Sequence, residues 1–139
     1  MDDVIIIGGS FAGLAGALQL GRARRRVTVF DTGLPRNRFA GHSHGLLGHD
    51  HRPPLDILST ARQQLARYPS ITLRNARADS VTGTLDDFSV VTESGETHTA
   101  RRLLLSYGVS DQMPAIPGFA DCWGKTVVSC PYCDGFEVA

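Results

Sequence analysis

Apolar residues in the first thirty positions change their period twice. Val4-Ile5-Ile6-Ile7 is a continuous β-branched run, which predicts a strand buried on both faces of a parallel sheet. It enters Gly8-Gly9-Ser10-Phe11-Ala12-Gly13, after which Leu14, Ala15, Ala17, Leu18 and Leu20 recur at helical spacing, with Ser10 placed as the N-cap. Gly21 and the run Arg22-Ala23-Arg24-Arg25-Arg26 end that helix, and Val27-Thr28-Val29-Phe30 forms a second strand that closes at Asp31. Strand, turn, helix and strand follow in the order and length of a βαβ unit. The arginine run reads as a solvated helix C-terminus, where cations suit the negative end of the dipole.

The pattern then lapses. Thr32 to Arg52 is rich in Gly, Pro, Arg and His without a period and reads as an ordered loop over a ligand. A helix is expected from Pro53-Pro54, since proline suits a first turn, with Leu55, Ile57, Leu58, Ala61 and Leu65 on one stripe. Short alternating runs at Ile71–Leu73, Ala76–Val81, Phe88–Val91 and His98–Arg102 predict an antiparallel meander. Leu103-Leu104-Leu105 predicts another buried strand, ending at Ser106-Tyr107-Gly108. Pro114, Pro117 and Gly118 mark a linker, and Val127-Val128 begins a new strand that runs into Cys130-Pro131-Tyr132-Cys133-Asp134-Gly135.

Composition narrows the function classes. The 14 basic and 14 acidic residues cancel, so no global field favours nucleic acid or an anionic membrane. No apolar run approaches the roughly 20 residues that span a bilayer, and the Met-Asp-Asp start lacks a basic secretion n-region, so the expected location is cytoplasmic. The 139 residues suffice for one core. Three cysteines, two at CxxC spacing, do not make a disulfide framework; in a reducing compartment such a pair is catalytic or metal-binding.

In a dinucleotide fingerprint the first glycine makes a tight turn, the second admits the pyrophosphate and the third lets helix pack on strand. Gly8 and Gly13 fill the first and third roles, whereas Ser10 holds the middle position. Asp31 stands 18 residues beyond Gly13, where an acid would accept hydrogen bonds from an adenosine ribose, which favours FAD or NAD over NADP at this turn. Cys130 and Cys133 can close a disulfide, and at a helix N-terminus one thiolate would be stabilised by the dipole and backbone donors. Asp134 can exchange the proton that thiol chemistry requires. Two other readings stand beside this one: a Cys3His zinc set adding Cys122 and one of His42, His44, His49 or His51, or two inert buried cysteines. The His42/His44 and His49/His51 pairs are explained by a glycine-flanked loop over a cofactor, and no metal is assigned to them.

GGSFAG after VIII, Asp31 after the second strand, LLLSYG before a proline-rich linker and CPYCDG after VVS together resemble the FAD-containing thioredoxin reductase family and its bacterial relatives. The resemblance implies an α/β, Rossmann-like FAD/NAD(P)-binding fold, incomplete in this chain, with parallel sheet, flanking helices and antiparallel meander. It implies residues 1–113 as the N-terminal part of an FAD domain, and 114–139 as linker and start of an NAD(P)H domain. By the same resemblance electrons pass from NADPH to FAD, to Cys130-Cys133 and to a disulfide, with Cys133 flavin-proximal, Cys130 the interchange thiol and Asp134 the acid-base group. Gly8, Gly9, Ser10, Phe11, Ala12, Gly13 and Asp31 match the FAD adenosine and pyrophosphate end, and Gly108 a strand-end glycine near the cofactor; His44, in the glycine-flanked loop, is expected at the flavin or its ribityl chain. Ser106-Tyr107 stand where the family has the smaller Ala-Thr. The implied partner is a thioredoxin-like protein or a small disulfide or dithiol, in a homodimer. Two alternatives remain: an O2-dependent dithiol oxidase, and a truncated nucleotide-binding module without catalysis.

Overall fold

The computed structural model describes Met1–Ala139, and the chain divides into two compact units: Met1–Leu34 with Ala61–Gly108, and Pro35–Thr60 with Val109–Ala139. The first holds strand β1 (Asp2–Ile7), helix α1 (Phe11–Arg22) and β2 (Val27–Asp31), followed by β3 (Ile71–Asn75), β4 (Ala78–Thr84), β5 (Asp87–Thr92) and β6 (Thr97–Leu105). They form one six-stranded sheet in the order β3-β2-β1-β6-β5-β4. β1 pairs in parallel with β2, from Val4↔Val27 to Ile7↔Phe30, and with β6, from Asp2↔Ala100 to Ile7↔Leu105.

Neighbouring residues of a strand point to opposite faces, yet Ile5 and Ile6 are both fully buried, so both faces of β1 are covered as its unbroken apolar run requires. One core groups Ile5, Phe30, Val90 and Ala100, with Ile7, Ala76, Ala78 and Leu103 against it. Each large apolar side chain taken from water there stabilises the fold by roughly 1.5–3 kcal/mol. Arg22 to Arg26 are exposed at the end of α1, with Arg24 in the left-handed region, in keeping with a solvated helix end.

Three expected elements are corrected. Ile71–Leu73 does not belong to the meander: β3 pairs in parallel with β2, from Val27↔Ile71 to Asp31↔Asn75. His98–Arg102 and Leu103–Leu105 are one strand, β6, which is antiparallel to β5 from Phe88↔Ala100 to Val91↔Thr97 and parallel to β1 further on. Its leucines are less buried than their run suggests. Leu103 meets the core, whereas Leu104 and Leu105 are exposed, the latter at the carboxyl end of the strand beyond the core layer. Val127-Val128 starts no strand; only a single bridge joins Val127 to Trp123, because so short a run has no neighbouring strand to pair with.

Helix α2 (Pro54–Leu65) begins where proline predicts, with Ile57, Leu58 and Leu65 buried. Leu55 is exposed instead, because Pro54 occupies the buried position one turn before Ile57 and Leu58, and Leu55 lies off that stripe. The second unit also holds a 3-10 turn at Arg36–Phe39, the short helix α3 (Phe119–Cys122) and α4 (Pro131–Val138). A bidentate ion pair ties its two chain segments: Arg36 Nε and Nη2 donate to the Asp111 carboxylate at 2.8 and 2.7 Å. The Thr32–Arg52 stretch is ordered by its own backbone, with Ser43 N–H donating to Arg52 O and His51 N–H to Ser43 O, each at 2.8 Å.

Candidate functional site: a glycine turn and a helix-capping disulfide

In the first unit, the carboxyl ends of three strands are tied together. Gly8 N–H donates to Phe30 O at 2.8 Å, Ser106 N–H to Ile7 O at 2.8 Å, and Ser106 Oγ to Gly8 O at 2.8 Å. Gly8 leaves β1 at φ +103°, and a Cβ there would run into the Ser106 carbonyl. At Gly13 a Cβ would collide with the Gly8 carbonyl, so helix α1 approaches the turn as closely as backbone allows. Gly9 lies against Asp31, whose Cβ would be 2.7 Å from an added Cβ.

Ser10 occupies the N-cap position with extended backbone, but its hydroxyl makes no capping hydrogen bond, and no acidic residue stands in the first turn of α1. The first-turn amides contributed by Phe11, Ala12 and Gly13 therefore carry the helix's positive end without a side chain to neutralise it. A backbone cradle that tolerates no Cβ, opening on such a helix end beyond the carboxyl ends of parallel strands, fits the pyrophosphate of a dinucleotide. Asp31 ends β2 beside this turn, and its carboxylate is ion-paired with Arg62. Gly108 adopts φ +68° with open space around it, so backbone conformation rather than crowding requires glycine there. Tyr107, the large ring among the strand-end residues, is largely exposed.

In the second unit, Cys130 is the N-cap of α4, Pro131 opens the helix and Cys133 lies in its first turn. The two cysteines are joined as a disulfide. Cys133 N–H donates to Cys130 Sγ at 3.1 Å. Once the pair is reduced, that amide and the helix dipole would stabilise negative charge on Cys130 Sγ. Cys130 is half-buried and Cys133 exposed, so neither is an inert core thiol. Both line a cavity of about 290 Å³, together with Arg36, His42, His44, Trp123 and Asp134. Asp134 is half-buried. His44 Nδ1 lies 3.2 Å from Glu137 Oε1. The zinc alternative is not assembled: Cys130 and Cys133 are bonded to each other, and Cys122 is a separate free thiol.

Sequence reasoning missed Arg62 beside Asp31, Glu137 beside His44 and the Arg36–Asp111 pair. No local signal marks the last, whose members are 75 residues apart. Glu137 had a faint signal, since it stands one helical turn after Cys133 on the helix that the CxxC begins.

A dinucleotide turn at parallel strand ends, in a chain with a CxxC capping a helix, defines the class of nucleotide-linked disulfide oxidoreductases. Residues 2–139 match the family described as pyridine nucleotide-disulphide oxidoreductase, and the chain belongs to that family. It is 40% identical over 139 residues to thioredoxin reductase tcpT of Claviceps purpurea, covering 97% of this chain and 43% of that protein. Against thioredoxin reductase aclD of Aspergillus oryzae it is also 40% identical, covering 97% of this chain and 44% of the relative. A crystal structure of an oxidoreductase from Agrobacterium tumefaciens superposes with a TM-score of 0.95 at 49% identity, over 98% of this chain and 46% of that one. The fold is thus a Rossmann-like FAD/NAD(P)-binding fold, and the chain spans less than half the length of these relatives. No helix is long and apolar enough to cross a membrane.

Proposed function

We propose that this chain is the N-terminal part of a thioredoxin-reductase-like disulfide oxidoreductase that uses FAD and NADPH, in the cytoplasm and as a homodimer. The observation that carries the reading is the Cys130–Cys133 disulfide at the N-terminus of α4, lining a cavity with Asp134. In this reading residues 1–113 belong to the FAD domain and 114–139 to a linker and the start of the NAD(P)H domain. Gly8, Gly9, Ser10 and the first-turn amides of Phe11, Ala12 and Gly13 would hold the FAD pyrophosphate, Asp31 would accept from the ribose, and Gly108 would shape the strand end near the cofactor. When bound, FAD supplies a two-electron carrier between NADPH and the cysteine pair.

The chain's own residues carry the exchange. Reduced Cys130, its thiolate held by the Cys133 amide, attacks one sulfur of a substrate disulfide; that S–S bond breaks and the leaving sulfur departs as a thiol with a proton supplied from Asp134. Cys133 then loses its proton to Asp134 and attacks the mixed disulfide at Cys130; Asp134 passes that proton to the departing sulfur, which leaves as the second thiol as Cys130–Cys133 re-forms. Two electrons leave the dithiol and two enter the substrate. The substrate is a thioredoxin-like protein or a small-molecule disulfide.

An absorbance spectrum of purified protein supplied with FAD and desalted tests the cofactor; retained flavin bands support the reading and their absence overturns it. NADPH-dependent reduction of a chromogenic disulfide by the protein in its full natural length, abolished by Cys130→Ser, tests the direction. Turnover of a dithiol with peroxide formation and no need for NADPH would replace the reductase with an oxidase.

A further inference from the structure

The loop ahead of α2 carries a cluster that the disulfide chemistry does not use. His44, Asp50 and His51 each offer one ligand atom, and these atoms all lie within 4.8 Å of one another. We propose that they form a binding site for a divalent transition-metal cation of the Zn²⁺ type. In this assignment His44 is a metal ligand.

The local fold brings the three together for reasons visible in the backbone. His51 N–H donates to Ser43 O and Ser43 N–H to Arg52 O, each at 2.8 Å, which closes the loop and returns His51 to His44. Gly45 N–H donates to Asp50 Oδ1 at 2.9 Å. That bond occupies one carboxylate oxygen and leaves the other, Oδ2, 3.6 Å from His51 Nε2. The imidazoles of His44 and His51 meet edge to face, with centroids 4.8 Å apart and planes at 79°.

A second observation points to a missing partner. His44 Nδ1 is buried and makes no hydrogen bond; Glu137 Oε1 lies 3.2 Å away, within ion-pair distance but outside hydrogen-bonding alignment. A buried ring nitrogen in this state is satisfied by a proton or by a cation. Two imidazoles with a carboxylate form a donor set of intermediate softness, suited to Zn²⁺ and its neighbours rather than to Mg²⁺ or Ca²⁺. Glu137 adds a second carboxylate next to His44. Metal–ligand bonds of about 2.0–2.2 Å bring donor atoms closer than the present spread. Asp50 and His51 can close that distance by rotating, since their side chains are 57% and 66% exposed. Water completes the coordination, as in open three-ligand sites.

The test is a titration of Zn²⁺ into the protein with the Cys130–Cys133 disulfide intact and Cys122 replaced by serine, which removes the thiols as competing ligands, read by competition with a chromophoric chelator. One equivalent should bind. H51A and D50N should each weaken affinity by about tenfold or more, while H49A, whose ring nitrogen faces Arg52 at 3.2 Å, stays within about twofold. D50N keeps an oxygen for the Gly45 amide, and both targets are exposed, so far-ultraviolet circular dichroism should be unchanged. Absence of binding, an equal loss in H49A, or binding that survives the H51A/D50N double variant would each overturn the proposal.

Discussion

Replacing Gly13 by alanine separates close backbone approach from helix propensity, because the same helix contains a matched control. Alanine inside a helix gains about 1 kcal/mol over glycine wherever the site has room. At Gly13 there is none: the new Cβ would collide with the Gly8 carbonyl, and that oxygen is pinned by Ser106 Oγ at 2.8 Å. Overpacking against atoms that cannot retreat costs roughly 1–3 kcal/mol. A clash with backbone belongs at the upper end, so after the propensity gain a net loss on the order of 2 kcal/mol is expected. At Gly16 the added Cβ meets Leu104 Cδ2 at 2.7 Å, the end of a flexible and partly exposed side chain. Leu104 can rotate away, so G16A should stay within about 1 kcal/mol of the parent. In a thermal melt, G13A should fall by about 5–10 °C and G16A by little or nothing. G13A should also lose FAD affinity by at least about tenfold, since the turn must open to admit the methyl group. If G13A melts with G16A and retains flavin, close packing of the turn is not what glycine is needed for.

The remaining expectations concern the ribose acid, the turn's anchor, the order of the cysteines and acid stability. D31N removes the ion pair with Arg62 and the proposed ribose acceptor; because that pair is partly exposed, stability should change by less than about 1 kcal/mol while FAD affinity, followed by fluorescence quenching, should drop about tenfold. S106A deletes the hydroxyl bond to Gly8 O and should cost about 1 kcal/mol in urea unfolding without shifting the m-value. Among cysteine variants, C133S should trap a mixed disulfide at Cys130, read by mass spectrometry, and C130S should not; the reverse pattern would exchange their roles. Hydrogen bonds from Arg102 and Arg101 hold the Asp86 carboxyl below its ordinary 3.8, and one from Arg36 does the same for Asp111. A carboxyl lowered by folding contributes stability above its unfolded value and loses it as pH falls. Stability should therefore decline below about pH 4, and the decline should be shallower in D86N and D111N.

What could be read from the sequence divides along the range of the interactions involved. The βαβ opening was legible because each of its causes is local: a β-branched run, glycines where a Cβ would meet backbone, an apolar stripe and an acid at the second strand end. The CxxC spacing was legible for the same reason, but the helix it caps was not read from the sequence, although Pro131 in the first helical position is its local sign. β3 was misassigned because Ile71-Thr72-Leu73 carries no mark of its partner; its parallel direction is set by β2, more than 40 residues earlier, while its local alternation resembles that of β4 and β5. β6 was cut in two for a related reason. Its first half answers to an antiparallel neighbour on one side and its second to a parallel neighbour on the other, so the residue pattern changes along a strand that does not break. The charged contacts were least visible. Asp31 was legible as an acid at a strand end, yet Arg62 beside it depends on the register of a helix that begins after an aperiodic loop. His44 shows the same limit more sharply: its glycine-flanked loop placed it near a cofactor, but its neighbours Asp50, His51 and Glu137 depend on how the loop closes on itself and on where α4 lies. A motif can state what chemistry a residue is capable of, whereas the partners that decide whether it is used come from the tertiary fold.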